Sequence, residues 1–279
     1  MAKRRKYRAY KRKGEGLFWH FRHRHPLAVP MLVLTLLAVI GLFLYVFFLH
    51  PAWLKPWQRN FHQYHNPEGY DVRGIDLSHY QKKIDWVKLR NADINSSPIR
   101  FIFVKATEGE DMVDECFANY FSKAKENDFI VGAYHFFNPN GDPLQQADNF
   151  IRHVKLETGD FPPVLDIESR GKLPTDVFHE HILLWLKRVQ AHYGVYPIIY
   201  TGVNFREKHL SSSAFEPYPF WIAHYYVDKL RYTGHWSFWQ YTDAGHVDGI
   251  KGYVDMNIFN GKLSDLMSLT IPEKQEKKK

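Results

Sequence analysis

The stretch Pro162-Pro163-Val164-Leu165-Asp166-Ile167-Glu168-Ser169 is a short apolar run entered through two prolines and left through two carboxylates. Its length and apolar content suit a buried strand, and its end carries titratable groups. Similar runs rich in Val, Ile, Phe and Tyr recur on both sides, so that strands are expected at 72–77, 99–105, 129–136, 163–167, 197–200, 219–223, 236–240 and 252–257. Helical stretches separate several of them: 113–127, 143–156 with Asp142 as cap and Pro143 in the first position, and 175–193 closed by Gly194. Strand and helix in turn favour a parallel sheet, and this many strands in one domain favour an α/β, TIM-like (β/α) barrel. Segments 208–218 and 227–235 are too short for full helices, so the barrel is expected to be irregular, with some antiparallel pairing at its end.

In such a barrel reactive side chains gather at the C-terminal ends of the strands. Asp76 is read as closing the first strand, Asp166 and Glu168 the fourth, and Asp255 the last. Asp166 and Glu168 are two apart, and strand side chains alternate, so both carboxyls point to the same side. Like charges that close disfavour joint ionisation, so one holds its proton near neutrality. An acid with a raised pKa beside an ionised partner is what cleavage of a glycosidic bond requires. A D-x-E tripeptide alone also fits a structural pair of carboxylates. Here Lys105, Tyr134, His135 and Tyr200 end other strands, and Trp221, Tyr225, Tyr226, Trp236, Trp239 and Tyr241 crowd the last third. Those rings fit either a sugar-binding groove or the core; Trp221 and Trp239 are expected near one rim. His179, Glu180 and His181 read as a solvated helical face, since positions i and i+2 diverge on a helix, and no metal or cofactor is implied. The lone Cys116 excludes an internal disulfide and is expected as a small apolar group buried in a helix. Asn95-Ser96-Ser97 matches a glycosylation sequon.

The chain has 279 residues and a formal net charge of +7. Residues 1–50 hold ten Lys/Arg against Glu15 alone, so that segment carries +9 and leaves the remainder at −2. A nucleic-acid partner is therefore not expected, because the barrel offers no global basic field. Residues 27–49, LAVPMLVLTLLAVIGLFLYVFFL, run 23 positions without a charge. At about 1.5 Å per residue that spans a hydrocarbon core of roughly 30 Å, and it exceeds the h-region of a cleaved signal peptide. The cation excess upstream keeps residues 1–26 in the cytoplasm and sends the rest to the periplasm or cell exterior. The expected organisation is a basic cytoplasmic tail (1–26), a transmembrane signal anchor (27–49), a juxtamembrane linker (50–69), the barrel (70–265) and a charged C-terminal tail (266–279).

The runs GIDLSHYQKKIDW (74–86), FVKATEG (103–109), GAYHFF (132–137), VLDIES (164–169), PIIYTG (197–202), WIAHY (221–225), WQYT (239–242) and VDMNIF (254–259) together resemble the glycoside hydrolase family 25 lysozymes, in the family's order. The resemblance covers residues 70–261. It implies an N-acetylmuramidase that cuts the β-1,4 bond between N-acetylmuramic acid and N-acetylglucosamine of peptidoglycan on an irregular α/β barrel. By the same resemblance Glu168 is the general acid/base, and Asp166 assists the substrate's 2-acetamido group, with another displacement route as the alternative. Asp76 and Asp255 match two further acidic positions, and Lys105, Tyr134, Tyr200, Trp221 and Gln240 match positions that face the groove. Lys82 and Lys83 depart from the pattern, standing where the family often has a glycine. The rival readings are a catalytically silent glycan-binding barrel and a chitin-type glycosidase.

Overall fold

The structure, a computed structural model, describes residues 28–45 and 66–273. The chain falls into two compact units, residues 1–61 and 62–279. In the first, the apolar run forms α1 (Ala28–Leu44), 17 residues with Met31, Leu34, Leu37 and Leu42 exposed. Among the described residues no helix is long and apolar enough to cross a membrane. The expected span 27–49 runs beyond the described helix, and the basic tail and most of the linker lie outside the described residues.

The second unit runs β1 (Arg73–Leu77), α2 (Trp86–Arg90), β2 (Asp93–Ile94), β3 (Ser97–Glu108), β4 (Met112–Val113), α3 (Phe117–Glu126), β5 (Ile130–Phe136), α4 (Pro143–His153) and β6 (Val164–Asp166). It continues with α5 (Thr175–Tyr193), β7 (Ile198–Gly202), α6 (Val203–His209), β8 (Phe220–Ala223), β9 (Phe238–Gly245), β10 (Val254–Phe259) and α7 (Leu263–Leu269). The ring order is β1-β10-β9-β8-β7-β6-β5-β3, closed by β3 pairing with β1. Each of the eight expected strands is one stave of this barrel. All pair in parallel except β10, which is antiparallel to both neighbours. The reason is length: residues 246–253 are too few for the crossover that a parallel partner needs. The short strands β2 and β4, not foreseen, are antiparallel additions to β3.

Alternation along the strands sorts the side chains into two cores. Inward residues Phe101, Phe103, Val164, Ile198, Trp221 and Phe238 form one buried cluster with Phe161 along the barrel axis. Phe103 stacks on Trp221 with centroids 4.6 Å apart, and Phe101 meets Phe238 edge-on at 5.2 Å. Gly74 and Gly132 make room for these rings: a Cβ would fall 2.3 Å from Phe101 and 2.5 Å from Phe103. Outward residues, including Ile102, Leu165, Ile199 and Trp239, join Phe150, Phe178, Trp185 and Val189 in a second cluster beneath the helices. Each fully buried ring contributes about 1.5–3 kcal/mol by leaving water.

Local chemistry explains where the helices begin and end. Asp142 accepts from the backbone N–H groups of Leu144 and Gln145, and Pro143 follows, so α4 starts where expected. It stops at His153 because Val154 turns extended and buries its side chain. The helix expected over 113–127 starts only at Phe117. Val113 belongs to β4, and the Asp114 carboxylate accepts from the Cys116 N–H in a turn. Cys116 is thus a half-buried helix cap rather than a buried helical residue. Asn95 and Ser96 both take positive φ in the exposed two-residue turn between β2 and β3. At the end, α7 carries the fold past residue 265: Leu266 is buried, and Ile271 exchanges backbone bonds with Asp160 and Gly159.

Lys82 sits at φ 52°, ψ −103°, after the turn His79–Gln81. Such a conformation costs a residue with a Cβ of order 1–3 kcal/mol and glycine much less. Lys82→Gly is expected to stabilise the barrel by about 1 kcal/mol after the greater chain entropy of glycine is subtracted. An unchanged or lower denaturant midpoint for that variant would contradict this account.

Candidate active site

The cleft opens at the rim where the parallel strands end, because strands deliver their last inward side chains there. Asp76 is the penultimate residue of β1, Asp166 the last of β6, and Glu168 lies two positions beyond it. Asp255 corrects the sequence reading. It is the second residue of β10 rather than near its end, and reaches the same rim because β10 runs antiparallel, in register with Asp76. All nine sequence-derived residues line one open cavity of about 210 Å³: the four carboxylates, Lys105, Tyr134, Tyr200, Trp221 and Gln240. Two staves, β3 and β5, separate β1 from β6, so Asp76 and Asp255 come from one wall and Asp166 and Glu168 from another.

Asp76 is held without a cation. Its Oδ2 accepts from Gln240 Nε2 and from Asn257 Nδ2, each at 2.8 Å. The amides are themselves oriented from behind. Gln240 Oε1 accepts from the hydroxyls of Tyr200 and Tyr225, each at 2.6 Å, and Asn257 Oδ1 accepts from Trp221 Nε1 at 2.8 Å. An indole nitrogen can only donate, so the Asn257 amide has one possible orientation. Burial pushes the Asp76 carboxyl up to about 6, with the Glu168 charge adding to it and the two amide bonds opposing.

Asp166 is buried, and its Oδ1 has no hydrogen-bond partner among the described residues. Desolvation first, and the neighbouring Glu168 charge second, hold its carboxyl well above the ordinary aspartate value. Glu168 lies open to the cleft, yet the protein around it raises its carboxyl as well, and Lys105 opposes that rise in both residues. Lys105 is fixed by Glu108 Oε2 at 2.6 Å and by the face of Phe136, 5.0 Å away. Asp166 and Glu168 are neighbouring charges, but burial raises both carboxyls, where one raised acid beside an ionised partner was expected.

Some rings are elsewhere. Trp239 and Tyr241 point outward into the second core, since they alternate with Gln240 on β9, so Trp239 is not a rim residue. Its indole donates to the His224 carbonyl at 2.8 Å. Trp236 packs on Tyr70, and Tyr226 bonds Asp243. One functional position, Asn257, escaped the sequence reading, while Tyr225 stood among the rings expected in a groove or the core without being singled out. Asn257 was reachable, being two residues from Asp255 on the same face of β10. Tyr225 follows β8 in a loop, where no period singles it out from its neighbours. His179 is half-buried and bonds the His209 carbonyl at 2.7 Å, so only Glu180 of that trio faces solvent freely. No group of His, Cys, Asp and Glu suited to a metal occurs among the described residues.

Comparison with known proteins agrees with this geometry. The profile of the glycosyl hydrolases family 25 matches residues 75–250. The uncharacterized protein YegX of Escherichia coli K12 is 42% identical over 203 residues, 72% of this chain and 74% of its own. Lysozyme M1 of Streptomyces globisporus is 32% identical over 213 residues, 71% of each chain. The crystal structure of the bacterial lysozyme from Streptomyces coelicolor superposes with a TM-score of 0.65 at 32% identity, covering 73% of this chain and 98% of that one. An acid-lined cleft at the strand ends of a closed barrel, a family match over residues 75–250, and a relative 42% identical over 72% of this chain make it a member of glycoside hydrolase family 25.

Proposed function

We propose that this glycoside hydrolase is a membrane-tethered N-acetylmuramidase in which Glu168 and Asp166 carry the reaction. The observation that bears most on it is the buried Asp166 oxygen without a partner among the described residues, beside a glutamate whose proton affinity is raised and which is open to the cleft. Glu168 in its acid form protonates the departing glycosidic oxygen. The carbonyl oxygen of the substrate's 2-acetamido group attacks the anomeric carbon as that bond breaks, and the Asp166 carboxylate accepts a hydrogen bond from the acetamido N–H, stabilising the positive charge that develops there. Glu168, now ionised, takes a proton from the water that opens the cyclic intermediate. Two displacements at one carbon retain its configuration. Across the cleft Asp76 and Asp255 add negative potential where oxocarbenium character develops.

Digestion of purified peptidoglycan tests the assignment. Wild type is expected to release fragments ending in reducible muramic acid, and Glu168→Gln to be slower by at least about 100-fold, the range of a lost general acid. Reducible N-acetylglucosamine ends, or no cleavage by the folded chain, would point to the chitin-type or silent-binding reading.

The pH profile follows from the same charges. The reaction needs one proton on the pair, carried by Glu168 once the substrate's acetamido N–H meets the Asp166 carboxylate, and both carboxyls are raised by desolvation and held down by Lys105. Removing that cation raises both further, so the acid and alkaline limbs of kcat/KM for Lys105→Met should both move to higher pH. A profile unmoved, or moved to lower pH, would exclude Lys105 as the group that tunes them.

The membrane tether rests on the uncharged run 27–49, on its helical part Ala28–Leu44, and on the Lys/Arg excess preceding it. In this reading residues 1–26 stay in the cytoplasm, the run is an uncleaved anchor, 50–69 are a juxtamembrane linker, and the barrel works on peptidoglycan in the periplasm or cell exterior. The full chain should sediment with membranes and resist alkaline extraction, whereas a chain lacking residues 1–49 should not. Alkaline release of the full chain would leave the barrel's chemistry standing and remove the anchor.

A further inference from the structure

The substrate proposed above is a polymer, so it must extend past the cavity that holds the reacting carboxylates. Among the aromatic residues lining that cavity, Tyr200 and Trp221 are buried in its floor, and Tyr134, Phe136 and Tyr225 are half-buried. Tyr80 differs: it lines the cleft on the Asp76 side and is 75% exposed. A single exposed tyrosine is ordinary on a protein surface. This one rests against a ring that is itself held. Its ring lies 4.2 Å from that of His79, at 37°. His79 in turn gives both its backbone N–H, at 3.0 Å, and its Nδ1, at 2.8 Å, to one oxygen of the buried Asp114.

The turn that carries Tyr80 is equally constrained. Gln81 accepts from the Ser78 N–H at 2.9 Å and donates to the Tyr253 carbonyl at 3.3 Å, tying the loop after β1 to the loop before β10. The same two loops share a bridge between Ile84 and Ile250 and a bond from Asp85 N–H to the Gly249 carbonyl at 2.8 Å. An aromatic side chain with only two rotatable bonds, carried on a constrained turn and packed against His79 while facing water, loses little entropy on binding and has a large apolar face to offer.

We propose that Tyr80 is a stacking platform for a sugar ring outside the reacting pair, on the Asp76–Asp255 side of the cleft, and that it sets the length of glycan the enzyme prefers. The inference rests on the peptidoglycan reading of the cleft. Binding to the inactive Glu168→Gln full-length chain separates the two ideas. The probes are muropeptide disaccharides and tetrasaccharides prepared from peptidoglycan, followed by calorimetry. Adding Tyr80→Ala is expected to weaken tetrasaccharide binding about tenfold, as loss of an aromatic anchor does, and disaccharide binding less than about twofold. Tyr80→Trp in its place should restore the tetrasaccharide preference, a rescue that a merely structural role would not show. Equal loss for both lengths, or none for either, would overturn the platform while leaving the muramidase reading intact. No binding of either fragment by the folded Glu168→Gln chain would overturn the substrate reading and the platform with it.

Discussion

The aromatic packing along the barrel axis fixes both the closure of the ring and the floor of the cleft. Phe101, Phe103, Phe161 and Phe238 fill the interior, and the absence of a side chain at Gly74 and Gly132 is what admits two of those rings. Trp221 connects this plug to the chemistry. One face stacks on Phe103, its edge meets Tyr200 at 4.6 Å, and its indole N–H holds Asn257, which holds Asp76. A shift of the plug would therefore reach the carboxylates through three successive contacts, each between buried groups. Close-packed interiors transmit such strain because there is little void to absorb it.

The same economy governs the electrostatics. Asp76 and Asp166 lie within one cleft with Glu168 and Asp255, and neutral donors rather than cations satisfy Asp76. A guanidinium in place of Gln240 would lower the carboxyls nearby, and an acid that has already lost its proton cannot deliver one. Amides support a charge without neutralising it, so proton affinity in the cleft stays high. Lys105 is the moderating cation, and its own bond to Glu108 limits how much positive potential reaches Asp166 and Glu168.

Much of this arrangement was legible in the sequence because two periodicities carry it. Apolar runs bounded by proline, glycine and charge marked each stave of the barrel, and alternation by two placed Asp166 with Glu168. The same alternation would have put Asn257 beside Asp255, and Trp239 on the opposite face from Gln240. What failed was direction. A run such as 252–257 reads the same whether its strand goes up or down, so Asp255 was assigned to the right rim through the wrong end of its strand. Capping chemistry likewise marked Asp142 and Gly194 but not Asp114, whose carboxylate delays α3 by taking the Cys116 N–H. Tyr225 is placed by a loop, and loops obey no period.

The reversal of β10 has a consequence for the shape of the cleft. A parallel last stave would need a crossover over the outside of the barrel, about 10–12 residues or more, and the rim would stop at the strand end. Turning back instead leaves residues 246–253 standing at the rim itself, where they meet the loop after β1. Gly249 permits the approach: at φ 96° a Cβ would fall 2.5 Å from the Asp85 carbonyl oxygen and 2.7 Å from Leu89 N. The two short loops become one wall by sharing backbone and side-chain bonds, on the side of the cleft where Asp76 and Asp255 pair. The antiparallel exception to an otherwise parallel barrel is thus what gives the acid pair a rigid margin, while the opposite side of the cleft is shaped by the segment after β6 that carries Glu168.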